Sequence, residues 1–150
     1  MENQAQAINF ADKSKLNYEL PIETKKTIDY INQKIAAIET LPEIIDFLFN
    51  NMQGIIPCHR LAVSFFEEDG RRLTIYYVKS NYEPLLLNAG YSADIDNSSL
   101  ERVFKSGEVR IINNLKEYLK NHPASDTTKL LLQEGINSSV TSPLQVEGRP

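Results

Sequence analysis

Leu61-Ala62-Val63-Ser64-Phe65-Phe66-Glu67-Glu68-Asp69-Gly70-Arg71-Arg72-Leu73-Thr74-Ile75-Tyr76-Tyr77 is the stretch whose reading decides the fold class of this chain. Leu61, Val63 and Phe65 alternate with Ala62 and Ser64, and Leu73, Ile75 and Tyr77 alternate with Thr74 and Tyr76. A period of two sends every second side chain to one face, the pattern of a half-buried strand. Asp69 and Gly70 between the two runs are turn formers. The stretch is therefore predicted as an antiparallel β-hairpin.

Upstream the period lengthens. Ile28, Ile31, Ile35 and Ile38 are spaced by three, four and three residues, so from Thr24 onward they share one apolar stripe of a helix. Thr40 and Glu43 have capping-box spacing, and Pro42 is tolerated in a first helical turn. Ile44, Ile45, Leu48, Phe49 and Met52 form a second stripe before Gly54. Two consecutive helices, or one broken near Leu41 and Pro42, precede the hairpin. Residues 1–22 are polar and weakly patterned, and are read as a flexible lead or a short packed arm.

Downstream the elements are short. Leu85, Leu86 and Leu87 offer a buried strand or loop anchor in the irregular stretch 80–97. Ser98 with Glu101 caps a helix that Gly107 closes, and Val109, Ile111 and Ile112 make a short strand. Asn114 with Glu117 repeats the cap signal, and Ser125 starts a further helix ended by Gly135. A last strand is predicted from Ser138 to Val146, carrying Val140, Leu144 and Val146, with a turn over Glu147, Gly148, Arg149 and Pro150. Such a turn expects a returning strand, from sequence beyond it or from another chain, because a strand leaves its amides and carbonyls unpaired. The order is α+β.

Bulk properties narrow the function. The 150 residues suit one domain with a substantial core, and a net charge of −4 gives no general attraction to nucleic acid. Arg71 and Arg72 stand together and are read as a solvated strand end. Cys58 is the sole cysteine, which excludes an intrachain disulfide and zinc sites built on several cysteines. No apolar run approaches the roughly 20 residues that span a bilayer, and Glu2 without a basic-then-apolar segment is unlike a signal peptide. The expected location is the cytoplasm.

Four segments carry a resemblance to a known family. They are Cys58-His59-Arg60-Leu61-Ala62-Val63, Phe66-Glu67-Glu68-Asp69-Gly70, Ser99-Leu100-Glu101-Arg102-Val103-Phe104-Lys105-Ser106-Gly107-Glu108, and Ser139-Val140-Thr141-Ser142-Pro143-Leu144-Gln145-Val146-Glu147-Gly148-Arg149-Pro150. In this order, over about residues 24–150, the chain resembles a GAF domain. The resemblance implies a central antiparallel sheet, with N-terminal helices on one side and a small-molecule pocket under loops and short helices on the other. It also implies a return strand beside the first hairpin strand and a closing helix, neither of which lies within the 150 residues. The expected organisation is a polar arm at 1–22 and a GAF-like sensory domain at 23–150, C-terminally incomplete.

Candidate chemistry divides accordingly. Cys58 and His59 are adjacent, but neighbours entering a strand point to opposite faces, so a thiolate–imidazole pair is disfavoured. GAF domains that reduce methionine sulfoxide use several cysteines, a set this chain lacks. His59, His122, Glu67, Glu68, Asp69, Asp94 and Asp96 show no ligand spacing, and no metal is assigned. Haem, bilin and cyclic nucleotides bind some GAF domains. Cys58 lies away from the inferred lid, where bilin attachment would require it, and His122 alone does not specify haem. The cofactor is therefore left unknown.

The pocket candidates are Tyr82, Asn88, Tyr91, Ser92, Asn97 and Thr141, which combine stacking surfaces with hydrogen-bonding groups. Packing of Tyr82 and Tyr91 over core leucines is the competing reading. Ile28, Ile31, Ile35 and Ile38 are dimer-helix candidates. The leading expectation is a non-catalytic module that senses a small molecule or dimerises, in a bacterial signal-transduction protein with an output domain elsewhere in a longer parent. The alternatives are a structural protein-interaction domain without ligand and a thiol-dependent enzyme using Cys58.

Overall fold

Alternation and turn chemistry at residues 60–80 produce the hairpin, and the rest of the chain divides around it. The computed structural model describes residues 7–15 and 19–144. The elements run β1 (Ile8–Ala11), a 3-10 turn (Lys13–Lys15), α1 (Ile22–Ile35), α2 (Leu41–Asn51), β2 (Arg60–Phe66), β3 (Arg72–Ser80) and β4 (Ser92–Asp94). They continue with α3 (Ser99–Ser106), β5 (Val109–Ile112), α4 (Leu115–Asn121), α5 (Asp126–Gln133) and β6 (Ser139–Thr141). Two units result, one formed by Tyr18–Ser92 and the other by Met1–Asn17 together with Ala93–Pro150.

In the Tyr18–Ser92 unit, β2 and β3 pair antiparallel from Arg60↔Ser80 to Phe66↔Leu73, with a register shift between Val63 and Ser64. Gly70 takes φ 67° in the connecting turn, where a Cβ would be strained. Thr40 caps α2 by accepting from the Glu43 amide, and its hydroxyl donates to Glu43 Oε2 at 2.6 Å. Ile45 and Phe49, four residues apart, are buried where α2 packs on the hairpin. Tyr77 Oη donates to Asp46 Oδ1 at 2.9 Å, a bond that raises the phenol pKa above its ordinary value, and burial adds to the shift.

Helix α1 begins two residues earlier than predicted, directly after Pro21, whose φ of −52° suits a helix start while its ψ of 145° keeps it outside the first turn. It also ends before Ile38, because Ala37 and Ile38 donate to the carbonyls three residues back and the last turn tightens. Ile31 is buried within the single chain, whereas Ile28, Ile35 and Ile38 are half-buried. Of the three leucines at 85–87, Leu87 is buried and Leu86 is exposed.

The second unit contains a three-stranded antiparallel sheet in the order β1-β5-β6. The segment read as a lead or arm thus supplies a strand, with Ile8↔Ile112 and Ala11↔Val109 marking its register on β5. Four residues are too few for the period to announce a strand, and the partner lies far along the chain. Ile112, Leu115 and Tyr118 form the core here, with Ile8, Leu131, Leu132 and Ile136 packed against it.

The helix caps at Ser98, Asn114 and Ser125 form as the sequence indicates. The last predicted strand is shorter than expected. β6 stops at Thr141, since Pro143 has no amide for a ladder and its carbonyl accepts from Lys13 Nζ at 2.8 Å. Val146 and the turn over 147–150 lie outside the described residues.

Gly107 ends α3 in the left-handed conformation, φ 71°, with its amide bonded to the Val103 carbonyl. Gly107→Ala places a Cβ in that region and is expected to lower stability by about 1–2 kcal/mol. Urea unfolding followed by far-UV circular dichroism checks it, and an unchanged midpoint contradicts the strain argument.

Candidate functional site

The β1-β5-β6 sheet presents one face to α3 and α4, and its cross-strand register decides what stands there. Phe10 and Thr141 are both opposite Arg110, while Ile8 and Ser139 are both opposite Ile112. Directly paired residues share a face, as do residues two apart on one strand. Arg110 therefore lies on the same face as the buried Ile112, a charged side chain beside an apolar core.

Its guanidinium is held by neutral groups. Nη1 donates to Ser99 Oγ and Nη2 to Thr141 Oγ1, each at 2.8 Å. Ser99 Oγ in turn shares a 2.7 Å hydrogen bond with Tyr118 Oη. The Tyr118 ring is buried and stacks on the His122 imidazole, with centroids 4.1 Å apart and planes 13° apart. His122 Nδ1 lies 3.0 Å from the Tyr118 carbonyl, which fixes the imidazole locally.

Two buried polar atoms remain without a hydrogen-bond partner among the described residues, Arg110 Nε and Ser139 Oγ. No carboxylate among the described residues forms an ion pair with Arg110. Burial lowers the guanidinium pKa from its ordinary value, and Tyr118 opposes part of that shift. A guanidinium nonetheless remains charged at neutral pH.

The cations of α3 provide a contrast. Arg102 Nε donates to Glu108 Oε2 at 2.8 Å, and Lys105 pairs with Glu101. Hydrogen bonds from Arg102 and then Ser106 hold Glu108 below the usual carboxylate range. Lys105, followed by the Asn97 amide, does the same for Glu101. Arg102 also lies over the Phe10 ring, 4.0 Å from its centroid. An open hollow of about 410 Å³ is lined by Ile8, Asn9, Phe10 and Arg102. A second, of about 360 Å³, lies on α3 between Ser98 and Ser106 and is bordered by the paired charges. Neither hollow is lined by Arg110, which is half-buried with its Nε atom buried.

The six pocket candidates divide between the two units. Thr141 joins the Arg110 group directly. Asn97 takes φ 58°, and its amide donates to Glu101 Oε2 at 2.9 Å. In the other unit Ser92 Oγ is engaged by Arg72 Nε, Thr74 Oγ1 and Glu67 Oε1. Asn88 Oδ1 accepts from the Ala89 amide, closing its own loop. Tyr82 and Tyr91 are half-buried, and the Tyr91 carbonyl accepts from the Ile75 amide. Cys58 Sγ lies 3.7 Å from Gln53 Nε2, and His59 Nδ1 lies 3.3 Å from Asn81 Oδ1.

Ser99, Arg110, Tyr118 and Ser139 were not among the residues selected from the sequence. The available signal was the lone charge in Val109-Arg110-Ile111-Ile112, where alternation puts Arg110 on the face of Ile112. Among the described residues, no group of three His, Cys, Asp or Glu side chains is arranged to hold a metal ion. No helix among them is long and apolar enough to cross a membrane.

No protein-family model and no curated protein matches the chain. Among solved structures, it is similar to the GAF domain of a phosphoenolpyruvate-protein phosphotransferase from Acinetobacter. The TM-score is 0.60 at 15% identity, covering 87% of this chain and 74% of that one. The α+β fold, with its antiparallel sheets, is GAF-like.

Proposed function

We propose that this GAF-like chain is a non-catalytic, cytoplasmic regulatory module that senses a small molecule for a signal-transduction protein. The observation that carries the reading is Arg110, a half-buried cation with neutral partners, whose buried Nε, like the buried Ser139 Oγ, has no hydrogen-bond partner among the described residues. Buried charges are normally paired, because desolvation is otherwise uncompensated. A bound ligand supplies the missing partner and holds α3, β5 and β6 together through it.

Catalysis through Cys58 has less support, since its sulfur and the His59 ring each contact a side-chain amide. Binding is read out as a change in how this unit presents itself to an output domain. Association of two copies through α1 and the turn after it would use Ile28, Ile35 and Ile38, the half-buried members of the stripe. A protein-interaction role is the second reading. It is favoured by Phe65 and Tyr76, both exposed and packed edge to face at 5.4 Å.

The test is a thermal-shift screen of small metabolites followed by calorimetry. A ligand that binds only the folded state at about 100 times its Kd is expected to stabilise the protein by about 2.7 kcal/mol. Absence of any saturable ligand, with partner proteins captured by the Phe65 and Tyr76 surface, would replace sensing with the interaction reading.

A further inference from the structure

We infer that Arg110 anchors a binding site for a small monocarboxylate, with Ser99, Tyr118, Ser139 and Thr141 as its hydroxyl surround. The inference rests on the sensing reading above and names the chemical class of the ligand. Among the described residues, two donors of the guanidinium are engaged, both by hydroxyl oxygens. The buried Nε–H therefore faces no acceptor among the described residues. A carboxylate accepts two parallel N–H bonds from a guanidinium in the plane of the fork, and such charge-assisted pairs are stronger than neutral ones.

Ser139 adds a second, independent observation. Its buried hydroxyl has no partner among the described residues, and it lies two residues from Thr141 on the same face of β6. A ligand oxygen near Arg110 gives that hydroxyl an acceptor. The hydroxyls of Ser99 and Tyr118 are already hydrogen-bonded to each other, so they position the guanidinium without neutralising it.

Charge selects the class. Arg110 supplies one half-buried positive charge, while Arg102 and Lys105 are committed to Glu108 and Glu101. A monoanion neutralises that charge, whereas a phosphate dianion leaves one negative charge buried and unpaired. Carboxylate is therefore favoured over phosphate.

The experiment measures binding of propionate, propionamide and inorganic phosphate at constant ionic strength to the whole chain and to Arg110→Met, by calorimetry and thermal melting. Propionate is expected to bind saturably and propionamide not at all, with Arg110→Met at least about tenfold weaker for propionate. Without ligand, Arg110→Met is expected to melt at or above the wild-type temperature, since a half-buried charge with no carboxylate partner among the described residues is replaced by an apolar chain of similar length.

In wild type, the Arg110 Nε–H cross-peak of a proton–nitrogen spectrum should move with propionate and not with propionamide. That measurement decides the matter if Arg110→Met does not fold. Tighter binding of phosphate, equal propionate binding by both proteins, or an unmoved Nε–H overturns the assignment. A ligand-free Arg110→Met that folds but melts well below wild type also overturns it, by showing that the arginine is internally compensated. A neutral metabolite from the screen that binds both proteins equally preserves sensing but overturns the carboxylate inference. Absence of any ligand for either protein overturns both.

Discussion

Leu115→Ala is expected to destabilise the unit that contains it by about 2–5 kcal/mol. Leu115 is only 1% exposed and stands at the first position of α4, between Ile112 and Tyr118. Ile8, Leu131, Leu132 and Ile136 close around that cluster from β1, α5 and the turn after α5. Removing the isobutyl group loses its transfer free energy and leaves a cavity that elements from four parts of the chain must collapse to fill.

The chain contains no tryptophan, so urea unfolding is followed by far-UV circular dichroism. A midpoint shift without a change of slope is the expected form. A loss under about 1 kcal/mol would show that the cluster relaxes freely, contrary to the close-packed core described. Because Tyr118 carries the hydrogen bond to Ser99, loosening this core should also weaken the carboxylate binding proposed for Arg110.

Ile31→Asp is expected to cost about 3–5 kcal/mol, because it buries a carboxylate without a partner. Ile31 is 5% exposed and is the buried member of the α1 stripe. The effect is therefore one of folding in the single chain. Ile35→Asp, at a half-buried position, is expected to cost less and to report on association. Circular dichroism and sedimentation on the two variants separate these roles. An Ile31→Asp protein as stable as wild type would place Ile31 outside the core. A folded Ile35→Asp protein that associates as wild type does removes α1 from any interface between copies.

Where the signal was local, the chain's elements were legible. Thr40, Ser98, Asn114 and Ser125 each accept a backbone amide two or three residues ahead, and each was visible as a cap residue next to an apolar period. The β2–β3 hairpin was legible for the same reason, since its alternation and its Asp69-Gly70 turn are contiguous. β1 was not, because Ile8-Asn9-Phe10-Ala11 acquires its meaning only from Val109–Ile112. Of the candidate site, the sequence points to Thr141 and not to Arg110, the charged member of an otherwise apolar strand.

What the amino-acid order determined by itself is therefore the α+β class, the helix boundaries to within a few residues, and the hairpin. Each depends on hydrogen bonds and side-chain periods between residues close in the chain. Tertiary structure alone decided that Arg110 faces Ser99, Thr141 and the Tyr118 core, because that meeting requires two strands and two helices to come together. It likewise decided that Ile31 is buried while Ile35 remains half-open. Burial and the desolvation of a charge are properties of what surrounds a residue, and no local period encodes them.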